Sequence, residues 1–197
     1  MKIADWKRAV RPHAPSDSYW RFRGRLCYQY PVGQILFGVL GEGSGFDSSV
    51  YVWRVTMPMF VPGDVIDLSY SERLGGGGKK ALNSPAELSA TIEEALNPPL
   101  DEERELRKFI KMAQGAGARN RRVVETAAYS NVILGDIRAA YMEIDKASGL
   151  ESEFEWQEEI VSRLINLKSA LDRSGREGAM GLIEDQSMKT KSALGIV

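Results

Sequence analysis

The stretch SSVYVWRVTMPMFVPGDVIDLSYSERL, residues 48–74, runs into Gly75-Gly76-Gly77-Gly78 and decides the fold. Val50 to Met57 is dense in β-branched and aromatic side chains, which fit a pleated, half-buried surface, so it reads as a strand. Pro58 removes a ladder donor, so pairing weakens there or the strand lies at a sheet edge. Met59-Phe60-Val61-Pro62 reads as a bulged crossing into the turn triplet Pro62-Gly63-Asp64, and Val65 to Tyr70 as a further strand. The stretch places a sheet in the first half of the chain and carries no reactive constellation.

Outward toward the N-terminus, residues 19–29, YWRFRGRLCYQ, alternate in character. Read as one strand, they point Trp20, Phe22, Leu26 and Tyr28 one way and Tyr19, Arg21, Arg23, Arg25 and Cys27 the other. Pro31-Val32-Gly33 reads as a turn, and the apolar run Gln34 to Gly41 as an interior strand in which Gly38 admits a close neighbour. Ahead of these, Trp6 and Val10 share one side of a short helix, and Arg11 to Ser18 is rich in proline and serine, hence irregular. The count is about four antiparallel strands.

Toward the C-terminus the period changes to that of helices. Ser84-Pro85-Ala86-Glu87 is a capping box with proline at the first helical position, and Asn97-Pro98-Pro99 stops that helix after Leu96. A second helix starts near Asp101 with Leu106, Phe109, Ile110 and Ala113 on one side. Ala127, Leu134, Ile137, Tyr141 and Ile144 form one long stripe, and Phe154, Ile160 or Val161, Leu164, Leu167 and Leu171 another after Ser148-Gly149. These predict a long antiparallel helical hairpin. From Ser174 the period fades and glycine returns, so residues 174–197 read as a loosely ordered tail. The expectation is therefore an α+β chain, with residues 1–80 mainly sheet and residues 81–173 helical and packed on it as one domain.

Composition sets outer bounds. With 43% apolar and 27% charged residues among 197, the chain has a globular composition. Its longest apolar run, Ile35 to Leu40, is far below the roughly 20 residues that span a bilayer, so no membrane association is expected. A lone cysteine, Cys27, suits a reducing compartment, and the expected location is cytoplasmic. Residues 1–80 hold 11 Lys/Arg against 7 Asp/Glu, a surplus of four; residues 81–197 hold 15 against 20, a deficit of five. That basic excess is small for an obligate nucleic-acid binder, whose affinity comes largely from neutralising phosphates.

Candidate chemistry is thin. Gly75 to Lys80 tempts a phosphate-loop reading, but Arg73 stands where the first glycine belongs and Lys80 where Ser or Thr belongs, so a linker is expected. His13 is the only histidine, which removes paired-histidine metal sites and most triads. A Cys27–His13 dyad with Arg23 and Arg25 favouring the thiolate competes with a small buried apolar Cys27. Asp64 and Asp67, three apart in a strand, point to opposite faces. No catalytic residue, cofactor or metal ligand is assigned.

The best contact surface is basic. Tyr19, Arg21, Arg23 and Arg25 are expected on one sheet face, where guanidinium groups beside an aromatic suit phosphates, carboxylates and stacking. Pairing of these arginines with acidic helices of the second half is the competing reading. Arg119, Arg121 and Arg122 in GARNRR form a weaker basic cluster. YVWRVTMPMFVP followed by SERLGG resembles the signature of an uncharacterised bacterial α+β family, with Met57 where that pattern has glutamine and Glu72 where it has glycine. The resemblance implies a small accessory or immunity-like protein and no established activity. The expected function is non-catalytic binding of a protein partner or self-association through amphipathic helices. A nucleic-acid binder using the arginine face is the first alternative and an enzyme the second.

Overall fold

The computed structural model describes residues 1–14, 19–43, 50–76, 82, 84–116, 120–149 and 151–196. It is an α+β fold in which the chain forms two compact units. Residues 1–57 and 65–100, with Ile196, make the first; residues 58–64 and 101–195 make the second.

The first unit is built on an antiparallel sheet of five strands in sequence order: β1 (Trp20–Arg23), β2 (Leu26–Gln29), β3 (Ile35–Gly43), β4 (Val50–Pro58) and β5 (Glu72–Gly75). The sheet has five strands where about four were expected, and its last strand lies elsewhere, each for a local reason. Residues 19–29 are not one strand, because Gly24, at φ +60°, turns the chain and pairs Arg23 with Leu26 across a two-residue loop. Glycine at the first loop position suits the primed hairpin turns that match strand twist. The last strand also lies later than Val65 to Tyr70. That segment is fastened to β4 by side chains: Thr56 Oγ1 donates to the Tyr70 carbonyl at 2.7 Å, and Ser71 Oγ accepts from the Thr56 amide at 3.3 Å. Asp67 Oδ1 takes the Ser69 amide, a local turn that competes with ladder pairing.

The apolar run at residues 35–40 forms the middle strand as expected, and a Cβ at Gly38 would collide with the backbone of Cys27 and Tyr28 on β2. Helices α1 (Ile3–Val10) and α2 (Pro85–Leu96) cover one sheet face. Trp6 and Val10 from α1 and Ile92, Ala95 and Leu96 from α2 meet Cys27, Val39, Val52 and Leu74 in one buried cluster. The capping box is formed both ways: Ser84 Oγ accepts from the Glu87 amide and Glu87 accepts from the Ser84 amide. At the other end of α2, Arg54 donates to the carbonyls of Glu94, Ala95 and Asn97, supplying the donors that a helix C-terminus lacks.

The second unit is helical, with α3 (Glu102–Ala116), α4 (Arg121–Leu134), α5 (Ile137–Ser148) and α6 (Glu155–Ala193). Helix α4 is its centre, buried continuously from Val123 to Val132. The stripe read as one helix from Ala127 to Ile144 is divided, because Gly135 is left-handed at φ +85° and the Asp136 side chain caps α5 by accepting the Ala139 amide. Helix α5 and the first arm of α6 form the expected antiparallel hairpin: Tyr141 Oη donates to Asp172 at 2.6 Å and Lys168 to Asp145 at 2.7 Å. Residues Pro58 to Asp64 belong to this unit, where Met59, Phe60 and Val61 are buried and the Phe60 ring lies 6.0 Å from that of Tyr129.

The segment after Ser174, expected as a loose tail, is helical to Ala193 and buries Ala179, Ile183, Ser187 and Thr190. Gly175, at φ 60° and ψ −153°, breaks α6 into two arms. Arg163 and Lys189 line one cavity, whereas a straight helix would set them about 39 Å apart at 1.5 Å per residue, so the second arm folds back beside the first. Arg176, just past the break, donates to the carbonyls of Val132 and Ile133 and closes the end of α4. Among the described residues no helix is long and apolar enough to cross a membrane.

Candidate binding surfaces

The β1–β2 hairpin redistributes the arginine strand. Paired residues share a face, so Arg21 lies with Tyr28 and Arg23 with Leu26, while Cys27 lies with Phe22 on the opposite, helix-covered face. Arg21, Arg23 and Tyr19 are exposed, Tyr19 by 54%. The Arg21 guanidinium sits 4.2 Å from the centre of the Tyr30 ring, and Arg73 sits 5.4 Å from that of Tyr51. Both contacts are cation–π arrangements that hold a guanidinium in place while leaving its donors outward. Among the described residues neither Arg21 nor Arg23 forms an ion pair. Burial raises the Tyr28 phenol above its ordinary pKa, while Arg21 and Arg23 pull it down and Tyr30 adds to the rise.

Arg25 does not join this face. It occupies the hairpin turn, half-buried, and donates to the Met1 carbonyl at 2.7 Å. Of the second cluster, Arg119 lies outside the described residues. Arg121 is 1% exposed and donates to Ser152 Oγ, Gln157 Oε1 and the Glu151 carbonyl, which ties α4 to the start of α6. It is a structural clamp, whereas Arg122 is exposed.

The reactive residues are dispersed. Cys27 is fully buried, and burial pushes its thiol up to about 12, which removes the thiolate that a dyad needs. His13 bonds Ser89 Oγ at 2.7 Å on the helix side of the first unit. Asp64 and Asp67 fall in different units. Among the described residues no three His, Cys, Asp or Glu side chains gather as a metal site. Gly77 to Lys80, the rest of the glycine-lysine run, lie outside the described residues.

One feature escaped the sequence reading. In the helical unit a cavity of about 550 Å³ is lined by Tyr129 of α4 and by both arms of α6, with Arg163, Asn166 and Arg173 on one and Asp185 and Lys189 on the other. Beside it, Glu125 is wholly buried and accepts two hydrogen bonds from Arg163. Burial raises the Glu125 carboxyl above the usual carboxylate range, against the pull of Arg163 and Arg122, and also raises the Tyr129 phenol. The sequence signal was Gly175, whose effect on the path of α6 is visible only when residues 163 and 189 are seen to meet.

Comparison with known proteins finds no matching family model, no similar curated protein and no similar solved structure.

Proposed function

We propose that this chain is a non-catalytic interaction protein of the cytoplasm that binds an acidic protein surface, on a partner or a second copy, through the sheet face carrying Arg21 and Arg23. The observation that supports the reading is the arginine pair itself, exposed, without an ion pair among the described residues, and with Arg21 seated on the Tyr30 ring. Arginine held this way keeps its planar fork free for bidentate carboxylates and forfeits less side-chain entropy on binding than a free one. The test is native mass measurement together with pull-down, comparing the natural chain with an Arg21→Glu/Arg23→Glu double variant. A complex that survives in the natural chain and is lost in the variant supports the proposal. A strict monomer that captures nothing and turns over a small substrate overturns it.

A nucleic-acid partner is the second reading, favoured by the pairing of guanidinium with aromatic rings at Arg21–Tyr30 and Arg73–Tyr51. Arg21, Arg23 and Arg73 would release few counterions, so the logarithm of affinity should fall against that of salt with a slope of only about −3. A gel shift with a much steeper slope, abolished by Arg23→Glu, would favour this reading over the protein partner.

A further inference from the structure

We infer that the cavity between the two arms of α6 and helix α4 binds a small organic anion, a phosphate or carboxylate on a compact carbon frame. Its volume, about 550 Å³, falls within the roughly 300–1,000 Å³ of small-molecule sites. Tyr129 lines it and is 1% exposed, yet among the described residues its hydroxyl makes no hydrogen bond. The hydroxyl is not one of the buried polar atoms without a partner, so it opens onto the cavity, where it is placed to donate to a solvent or ligand acceptor.

The charges on the wall select the sign of the ligand. Arg163, Arg173 and Lys189 are its cations and Asp185 its carboxylate, and Glu125 behind the wall neutralises Arg163. Glu159, 3.9 Å from Arg163, gives that cation a second carboxylate, so the wall cations left for a ligand are Arg173 and Lys189, against the single wall carboxylate Asp185. Arg173 spends Nε on the Ser169 carbonyl, and among the described residues neither it nor Lys189 pairs with a carboxylate. Its terminal nitrogens remain as donors for an oxyanion. Arg163 is held from behind by both Glu125 oxygens, so its position is fixed before any ligand arrives. Ala170 and Leu182 supply apolar wall for a carbon frame.

The site shares no residue with the sheet face, and the experiment distinguishes the two. Phenyl phosphate, phenylacetate and benzyltrimethylammonium are titrated by calorimetry into the full chain and four variants. Saturable one-to-one binding of phenyl phosphate or phenylacetate is expected, with the tighter of the two identifying the anion. Arg173→Gln/Lys189→Gln, both at exposed positions, should weaken it by about tenfold or more. Tyr129→Phe should weaken it severalfold without lowering the melting temperature of the free protein, since the hydroxyl has no internal partner to lose. Lys111→Gln, at another cavity of the same unit, and Arg21→Glu, on the sheet, should leave it unchanged. Absence of saturable binding by either anion, equal binding of the ammonium probe, or equal loss in the Lys111→Gln variant overturns the inference.

Discussion

The carboxylate of Glu125, fully buried, meets the guanidinium of Arg163 through two hydrogen bonds of 2.6 and 3.2 Å. Removing one member of such a pair strands the other, so Glu125→Ala should cost about 3 kcal/mol in urea unfolding. The pH dependence follows from the raised carboxyl. Between its ordinary value of 4.5 and its higher folded value, the folded chain holds more protons than the unfolded one, so this group's contribution to stability falls as pH rises through that window. The stability advantage of the natural chain over Glu125→Gln should therefore shrink from acid toward neutral pH. An advantage that grows instead would mean that the bond to Arg163 outweighs burial.

Two glycines of α6 predict opposite outcomes for one substitution. At Gly175 an added Cβ meets nothing within 4 Å, yet φ 60° with ψ −153° is reserved almost wholly for glycine. Gly175→Ala should destabilise by about 1–3 kcal/mol. At Gly181, which is helical and also in open space, alanine should stabilise by about 0.5–1 kcal/mol. Melting curves of the two variants check both signs.

Cys27 should be nearly inert in the folded chain. A thiol at about 12 in place of 9.0 holds about a thousandfold less thiolate at pH 8, before restricted access is added. Alkylation by iodoacetamide should therefore be slower than for the unfolded chain by at least about that factor. Fast modification under native conditions would contradict the packing of the sheet against α1 and α2.

Ser84→Ala removes the acceptor for the Glu87 amide and undoes the reciprocal cap of α2. A loss of about 1 kcal/mol is expected. Hydrogen exchange should quicken in the first turn of α2, and a variant with unchanged exchange there would show that packing of Ile92 and Leu96 alone fixes the helix start.

Local signals carried much of the fold. Ser84, Pro85 and Glu87 state a helix start because cap and box act over four residues, and Pro58 marks the end of β4 because a missing donor acts at one. The hairpin was harder: Tyr19 to Gln29 alternates without interruption, and only the φ of Gly24 shows that the alternation reverses direction. That reversal moved Cys27 into the core, left Arg21 and Arg23 exposed on the opposite face beside the buried Leu26 and Tyr28, and put Arg25 in a turn. Arg121 likewise looks like surface charge in GARNRR, and its burial depends on Ser152 and Gln157, thirty residues and more away. The cavity depended on residues from three helical segments, a coincidence that no local pattern encodes.

The residues Pro58 to Asp64 leave the sheet strand, enter the helical unit and return. Modularity is lost at that point. A fragment beginning at Asp101 would carry all four of the later helices but lack Met59, Phe60 and Val61, leaving Tyr129 without its aromatic neighbour and Thr190 Oγ1 without the Val61 carbonyl it donates to at 3.3 Å. The helical half cannot be separated by a single cut, and recombination at the apparent boundary near Leu100 would yield an incomplete helical core. The proline-flanked loop makes the helical half depend on residues encoded within the sheet half.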